Sequence, residues 1–222
     1  MPAPALVIFD CDGVLIDSEH LSARAEARLF QRLGLAIDEA YVCTNFVGLS
    51  WATQIGMIEA RFDWRAPDNL LELARAEIRD LFETELKPIP GVTALLDRLK
   101  QEATPRCVAS SSDPDRLRLT LGLTGLHDRL APHIFSATLV ENGKPAPDLF
   151  LHAARAMGTA PADCIVIEDS VPGITAARAA GMNVIGFVGG SHATPDLAAR
   201  LRYAGAERIA AHMDEVAPLL GL

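Results

Sequence analysis

The sequence predicts an α/β protein: a parallel sheet with crossover helices, interrupted after its first strand by an inserted all-helical segment. Three observations predict it. The run Leu6 to Phe9 is rich in strand formers and too short for a helix, the pattern of a strand buried on both faces. No strand candidate follows between Ser18 and Lys87, where apolar residues recur at helical spacing instead. Beyond Gly91 helix and strand patterns alternate, as they do where parallel strands are joined by crossover helices.

Taken in order, the first strand ends at Asp10-Cys11-Asp12-Gly13. The carboxyl end of a strand in an open parallel sheet is where ligands bind. Two acids so close, with a glycine that lets the chain turn away, concentrate negative oxygens where burial alone would not tolerate them, and a positive partner is expected there. Asp and Gly are also ordinary turn residues after a strand, so this stretch alone leaves both readings open. Residues 22–33 then read as a helix on Ala25, Leu29, Phe30 and Leu33, with Gly34 as its stop. Further helices are expected over 38–47 and 51–62, with Gly48-Leu49-Ser50 between them, and over 69–86 on the stripe of Leu70, Leu73, Ala74, Ile78, Leu81 and Phe82. Lys87-Pro88-Ile89-Pro90-Gly91 breaks the helical run. The expected domains are thus a core of residues 1–17 and 88–222 and a helical insertion of residues 18–87.

In the second part, helices are expected over 92–101, 114–121, 147–157 and 174–180. Strands are expected over 106–109, 164–167, 184–187 and, more weakly, 134–137 and 208–210. Each convincing strand ends in polar or charged residues, a recurrence that points to one shared site: Ser110-Ser111-Ser112 after the second, and Glu168-Asp169-Ser170 after the one at 164–167. Converging carboxylates repel unless a hard cation sits among them, and oxygen donors of this kind suit Mg²⁺. Ser110 offers a hydroxyl and a strand-end N–H, and Lys144, in Asn-Gly-Lys-Pro, a compact positive charge, which are what an anionic substrate needs.

Composition narrows the partners. Twenty basic residues against 29 acidic give the 222-residue chain a formal charge of −9, and no Lys/Arg-rich run is present. No nucleic acid and no membrane partner is therefore expected. The N-terminus lacks a charged leader before an apolar run, and no apolar run approaches the roughly 18 residues of a spanning helix. Cys11, Cys43, Cys107 and Cys164 lack metal-site spacing and read as buried free thiols, which suits a cytoplasmic protein. A monomer or weak dimer is expected.

With these motifs in order, the chain resembles the haloacid dehalogenase superfamily of phosphohydrolases, in the β-phosphoglucomutase-like branch with a helical cap. Asp10-Cys11-Asp12-Gly13 matches the first motif, Ser110 the second, Lys144 in Lys-Pro-Ala-Pro-Asp the third, and Glu168-Asp169 the acidic pair of the fourth, followed by the branch's Ser-x-x-Gly at Ser170 to Gly173. The resemblance implies a Rossmann-like core, with Asp10 as nucleophile forming an aspartyl-phosphate and Asp12 as general acid and base. It implies Mg²⁺ held by Asp10, the Asp12 carbonyl and Asp169, with Glu168 direct or through water, and phosphoryl oxygens held by Ser110, the Ser111 N–H and Lys144. The insertion would be the cap, with Gly48-Leu49-Ser50-Trp51 the loop that reaches the substrate.

Substrate choice follows from departures. The cap-linker His of β-phosphoglucomutases falls on Ser22 by ungapped register, and His20 lies two residues before it. Hydrolysis of a small phosphorylated metabolite is therefore favoured, and the length, the opening from Cys11 to Glu19 and the cap pattern resemble those of sugar-phosphate or sugar-acid phosphatases, which implies an ester such as 6-phosphogluconate or phosphoglycolate. A phosphomutase is the alternative, and a non-catalytic binding protein on the same fold a third reading. Asp12 argues against dehalogenase chemistry, since dehalogenases of the superfamily lack this second acid. Asp17 reads as a linker support, Trp51 as a packing anchor before a sugar-stacking face, and Arg75 and Arg79 as solvated or as a grip for a second acidic group. His192, in a Gly-rich strand end, is either a turn residue or a site residue.

Overall fold

A computed structural model describes residues 4–46 and 51–222. The chain divides into two compact units, Met1–Asp17 with Lys87–Leu222, and Ser18–Leu86. After β1 (Leu6–Phe9) the chain passes into four helices, α1 (Glu19–Arg32), α2 (Glu39–Asn45), α3 (Trp51–Arg61) and α4 (Leu70–Glu85). The expected loop residues Gly48, Leu49 and Ser50 lie outside the described residues.

Aromatic packing holds the helical unit together. Phe30 is fully buried and meets Phe46 and Trp64 edge-on, at 6.0 and 6.4 Å between ring centres, with Trp51 tilted against it at 6.1 Å. Trp51 is therefore a packing residue. Helices α1 and α4 are also joined by ion pairs, Arg24 to Glu85 at 2.5 Å and Arg32 to Glu77 at 2.7 Å. The Asp38 carboxylate caps α2 by accepting from the Tyr41 N–H at 2.8 Å. Arg75 and Arg79 lie on the exposed side of α4.

The other unit is a six-stranded, wholly parallel sheet in the order β3-β2-β1-β4-β5-β6. Its further strands are β2 (Arg106–Ser110), β3 (Ile134–Ser136), β4 (Cys164–Glu168), β5 (Asn183–Phe187) and β6 (Arg208–Ala210). The helices are α5 (Val92–Gln101), α6 (Pro114–Leu123), α7 (His127–Leu130), α8 (Asp148–Ala156), α9 (Val171–Ala179), α10 (Leu197–Ala204) and α11 (Val216–Leu220). Every residue of β1 and β4 is buried, as a strand covered by helices on both faces requires. This is the Rossmann-like α/β class that the sequence predicts.

Strand order fixes where a ligand goes. Successive strands run outward from β1 through β2 to β3, then the chain returns to lay β4 on the other side of β1, so the crevice at the carboxyl ends of β1 and β4 is the topological switch point. Phe9 pairs with Ile167, and the Asp10 N–H donates to the Ile167 carbonyl at 3.0 Å. Asp10 and Glu168 therefore leave the sheet side by side.

Several boundaries differ from expectation for local reasons. Ser110 is the last residue of β2 rather than the first after it. Helix α9 starts three residues before 174 because the Ser170 hydroxyl accepts from the Gly173 N–H at 3.1 Å and Pro172 occupies the first turn. Helix α10 lies where no helix is expected, with Leu197 and Leu201 buried one turn apart and Gly205 closing it at φ 116°. Cys11, Cys107 and Cys164 are buried thiols as expected, whereas Cys43 is exposed on the outer side of α2. Among the described residues, no helix is long and apolar enough to cross a membrane.

Phe30→Ala is expected to lower stability by about 3–5 kcal/mol, the usual cost of emptying a buried phenylalanine site. Urea unfolding followed by tryptophan fluorescence measures it, since Trp51 and Trp64 both face this ring.

Candidate active site

The switch-point crevice gathers the acids. Asp10 is 7% exposed, Glu168 1% and Asp169 7%. At their centre is Lys144, whose ammonium contacts Asp10 Oδ1 and donates to Glu168 Oε1 at 2.8 Å and to the Ala109 carbonyl at 3.0 Å. Its Nζ also stands 4.9 Å from the centre of the Phe150 ring on α8. A lysine 24 residues before Glu168 is thus locked onto β1, β2 and β4 together.

Glu168 is fully engaged. Its Oε2 accepts from the Ser170 N–H at 2.7 Å and the Ser170 hydroxyl at 2.9 Å, while Oε1 serves Lys144. It lies against Gly173, where an added Cβ would come within 1.7 Å of Oε1. Its two oxygens thus link Lys144 to Ser170 at the start of α9.

Asp169 faces the other way. Its Oδ2 meets His192 Nε2 at 2.9 Å, and a Cβ at Gly13 would fall 1.9 Å from the same oxygen, so the first-motif turn passes directly over this carboxylate. Gly13 has φ 77° and accommodates both demands, a left-handed turn and the absence of a side chain. Asp12 leans toward β2: its carboxylate accepts from the Ser112 hydroxyl at 2.7 Å and from Arg116 Nη2 at 2.9 Å. The Ser110 hydroxyl, 1% exposed as a residue, accepts from the Ser112 N–H at 3.1 Å, and Ser111 between them is exposed.

The charges do not balance within the protein. Burial pushes the Asp10 carboxyl well above the usual range; Lys144 opposes this, but Glu168 and Asp169 add to it. Burial likewise pushes Asp169 up to about 6, with the bond to His192 opposing and the Glu168 charge adding. Burial works to lower Lys144, yet the attraction of Asp10 and Glu168 outweighs it, so the ammonium stays charged. Among the described residues, no group of three Asp, Glu, His or Cys side chains is arranged to ligate a metal as it stands. The donor set nevertheless fits a hard divalent cation: Asp10 and Asp169 are two carboxylates whose charged forms burial disfavours, and oxygen donors of this kind suit such an ion.

Comparison with known proteins places the chain in a family. A family model described as haloacid dehalogenase-like hydrolase matches residues 4–181. The chain belongs to this family. It is 33% identical over 190 residues to 6-phosphogluconate phosphatase of Escherichia coli, covering 85% of each chain, and 34% identical over 185 residues to hexitol phosphatase A of the same organism, covering 80% of each. The structure of a haloacid dehalogenase-like protein of unknown function from Agrobacterium tumefaciens superposes with a TM-score of 0.86 at 40% identity, over 98% of this chain and 97% of that one. This haloacid dehalogenase-like chain is an enzyme of the phosphoric monoester hydrolase class.

Four contacts in the site escaped the sequence: Ser112 and Arg116 on Asp12, Ser170 on Glu168, and Phe150 beneath Lys144. Arg116 had a readable signal. Asp113 caps α6 by accepting from the Arg116 N–H at 2.9 Å, which fixes where the arginine's backbone stands relative to Ser110.

The charge excess has a pH signature. The folded-state pKa of Asp169, about 6, lies above its ordinary value of 3.8, so the folded protein holds a proton that the unfolded chain has already lost. Without metal, stability from this group is therefore greatest below about pH 4 and declines as pH rises toward about 6. Asp169→Asn is expected to gain in melting temperature relative to the parent across that window and to level off above it, in chelator. A difference that does not vary with pH would contradict this charge balance.

Proposed function

We propose that this enzyme is a Mg²⁺-dependent phosphatase of small phosphorylated metabolites, acting in the cytoplasm on a sugar phosphate or sugar-acid phosphate such as 6-phosphogluconate or phosphoglycolate, through an aspartyl-phosphate. The observation that carries the reading is the buried Asp10 carboxylate in contact with Lys144, with Asp12 presented two residues later beside Ser112 and Arg116. Similarity to phosphatases of 6-phosphogluconate and of hexitol phosphates supports the substrate class.

Asp10 attacks phosphorus, and the bond to the ester oxygen breaks as that oxygen takes a proton from Asp12. Asp12 then accepts a proton from water, which attacks the aspartyl-phosphate, releasing phosphate and restoring Asp10. Ser110, the Ser111 N–H and Lys144 hold the phosphoryl oxygens, and Ser112 and Arg116 fix the Asp12 carboxylate. Asp10, the Asp12 main-chain carbonyl and Asp169 would hold Mg²⁺, whose charge offsets repulsion between these carboxylates and the phosphate. Glu168 acts through Lys144. The helical unit is assigned as the cap that excludes water and selects the leaving group.

The test is phosphate release from 6-phosphogluconate, a hexitol phosphate, phosphoglycolate and β-glucose 1-phosphate, with Mg²⁺ and with chelator. Metal-dependent release concentrated on one ester is expected, and isomerisation of β-glucose 1-phosphate without release would favour the mutase instead. Asp10→Asn is expected to abolish turnover while a cooperative melting transition is kept. Asp12→Asn is expected to cost about 10²–10⁴-fold on a sugar phosphate, the range of general acid–base catalysis, and far less in aspartyl-phosphate formation from an acyl phosphate, whose leaving group needs no proton.

A further inference from the structure

His192, flagged in the sequence, has no part in the reaction described above. It follows β5 in the loop Val188-Gly189-Gly190-Ser191-His192, and its Nε2 meets Asp169 Oδ2 at 2.9 Å. Three further features build this contact. The Asp17 carboxylate accepts from both the N–H and the hydroxyl of Ser191, at 3.0 and 2.7 Å, which ties the loop to the end of the first-motif turn. The imidazole then lies between two glycines: a Cβ on Gly190 would come within 2.6 Å of His192 Cε1, and one on Gly13 within 2.9 Å. Gly190 is itself pressed against the Gly13 carbonyl, which an added Cβ would approach to 3.0 Å. Two chain segments 177 positions apart, at Gly13 and Gly190, thus leave between them a slot that a histidine ring occupies.

The slot is selective in what it presents. The His192 side chain is 22% exposed and Asp169 8%, so the contact is largely enclosed. A turn histidine has no need of glycines on both sides or of a pinned neighbour. A nitrogen donor on one oxygen of a ligating carboxylate fixes which way the other oxygen points, and outer contacts of this kind typically set metal affinity by about 10–100-fold.

We propose that His192 is a positioning residue for the metal site: its Nε2–H holds Asp169 Oδ2 and so orients the remaining Asp169 oxygen toward a divalent cation. The inference rests on the assignment of Asp169 as a metal ligand in the reading above. Asp17, Ser191, Gly190 and Gly13 form the mount of the ring.

The test is Mn²⁺ binding to the full chain without substrate, followed by the paramagnetic resonance of free Mn²⁺, with Mg²⁺ as competitor. His192→Ala is expected to raise the dissociation constant about 10–100-fold. His192→Gln, whose amide nitrogen reaches the same position, is expected to recover most of the loss, a rescue that a purely structural role would not show. Melting curves of both variants in chelator confirm that the fold is kept. Unchanged or tighter Mn²⁺ binding in His192→Ala, with a loss in Asp169→Asn, overturns the role of His192 alone. If neither variant loses affinity, the metal reading of Asp169 fails with it.

Discussion

The structure depends on one buried ammonium. Asp10, Glu168 and Asp169 stand together at the ends of two adjacent strands, and like charges so placed would drive those strand ends apart or force the acids to protonate. Lys144 meets two of the three directly and also takes the Ala109 carbonyl, so a single cation ties β1, β2 and β4 at the point where the sheet opens. A buried charge of this kind is tolerated only because its partners leave almost none of its donor capacity unused. On one side Glu168 is engaged by Lys144 and Ser170, and on the other Asp169 meets His192.

Glycine is what lets these acids approach their partners. Gly173 gives Glu168 room to fold under the first turn of α9, where Ser170 donates to it twice. Gly13 gives Asp169 room beneath the first-motif turn. Any side chain at either position would displace a carboxylate by more than a hydrogen bond tolerates.

Much of this was legible in the chain. The run Leu6–Phe9, the absence of strand signals up to Lys87 and the alternation beyond Gly91 are local patterns, and they gave the sheet and the helical insertion. The acids of the site were legible because each follows a strand. The partners were not: Arg116 reaches Asp12 across 104 positions and Ser112 across 100, distances over which periodicity carries no information. The two oxygens of Glu168 show the same limit. A motif names an acidic pair, but only the positions of Ser170, Gly173 and Lys144 decide that one member faces the lysine and the other the opposite side.

The chain leaves the sheet unit and returns to it through one narrow doorway. The Asp17 N–H donates to the Lys87 carbonyl and the Ile89 N–H to the Leu15 carbonyl, both at 3.0 Å, so the outgoing and incoming segments are stitched side by side. The ends of everything between them are therefore fixed by the sheet unit alone. An insertion mounted in this way is a cassette: its sequence can diverge, lengthen or be exchanged without disturbing strand register, because the loop it closes is already sealed at the base. Relatives can thus share a reaction centre while differing in the segment mounted on it, and a chimera joined at Asp17 and Lys87 would inherit its chemistry from one parent and its helices from the other.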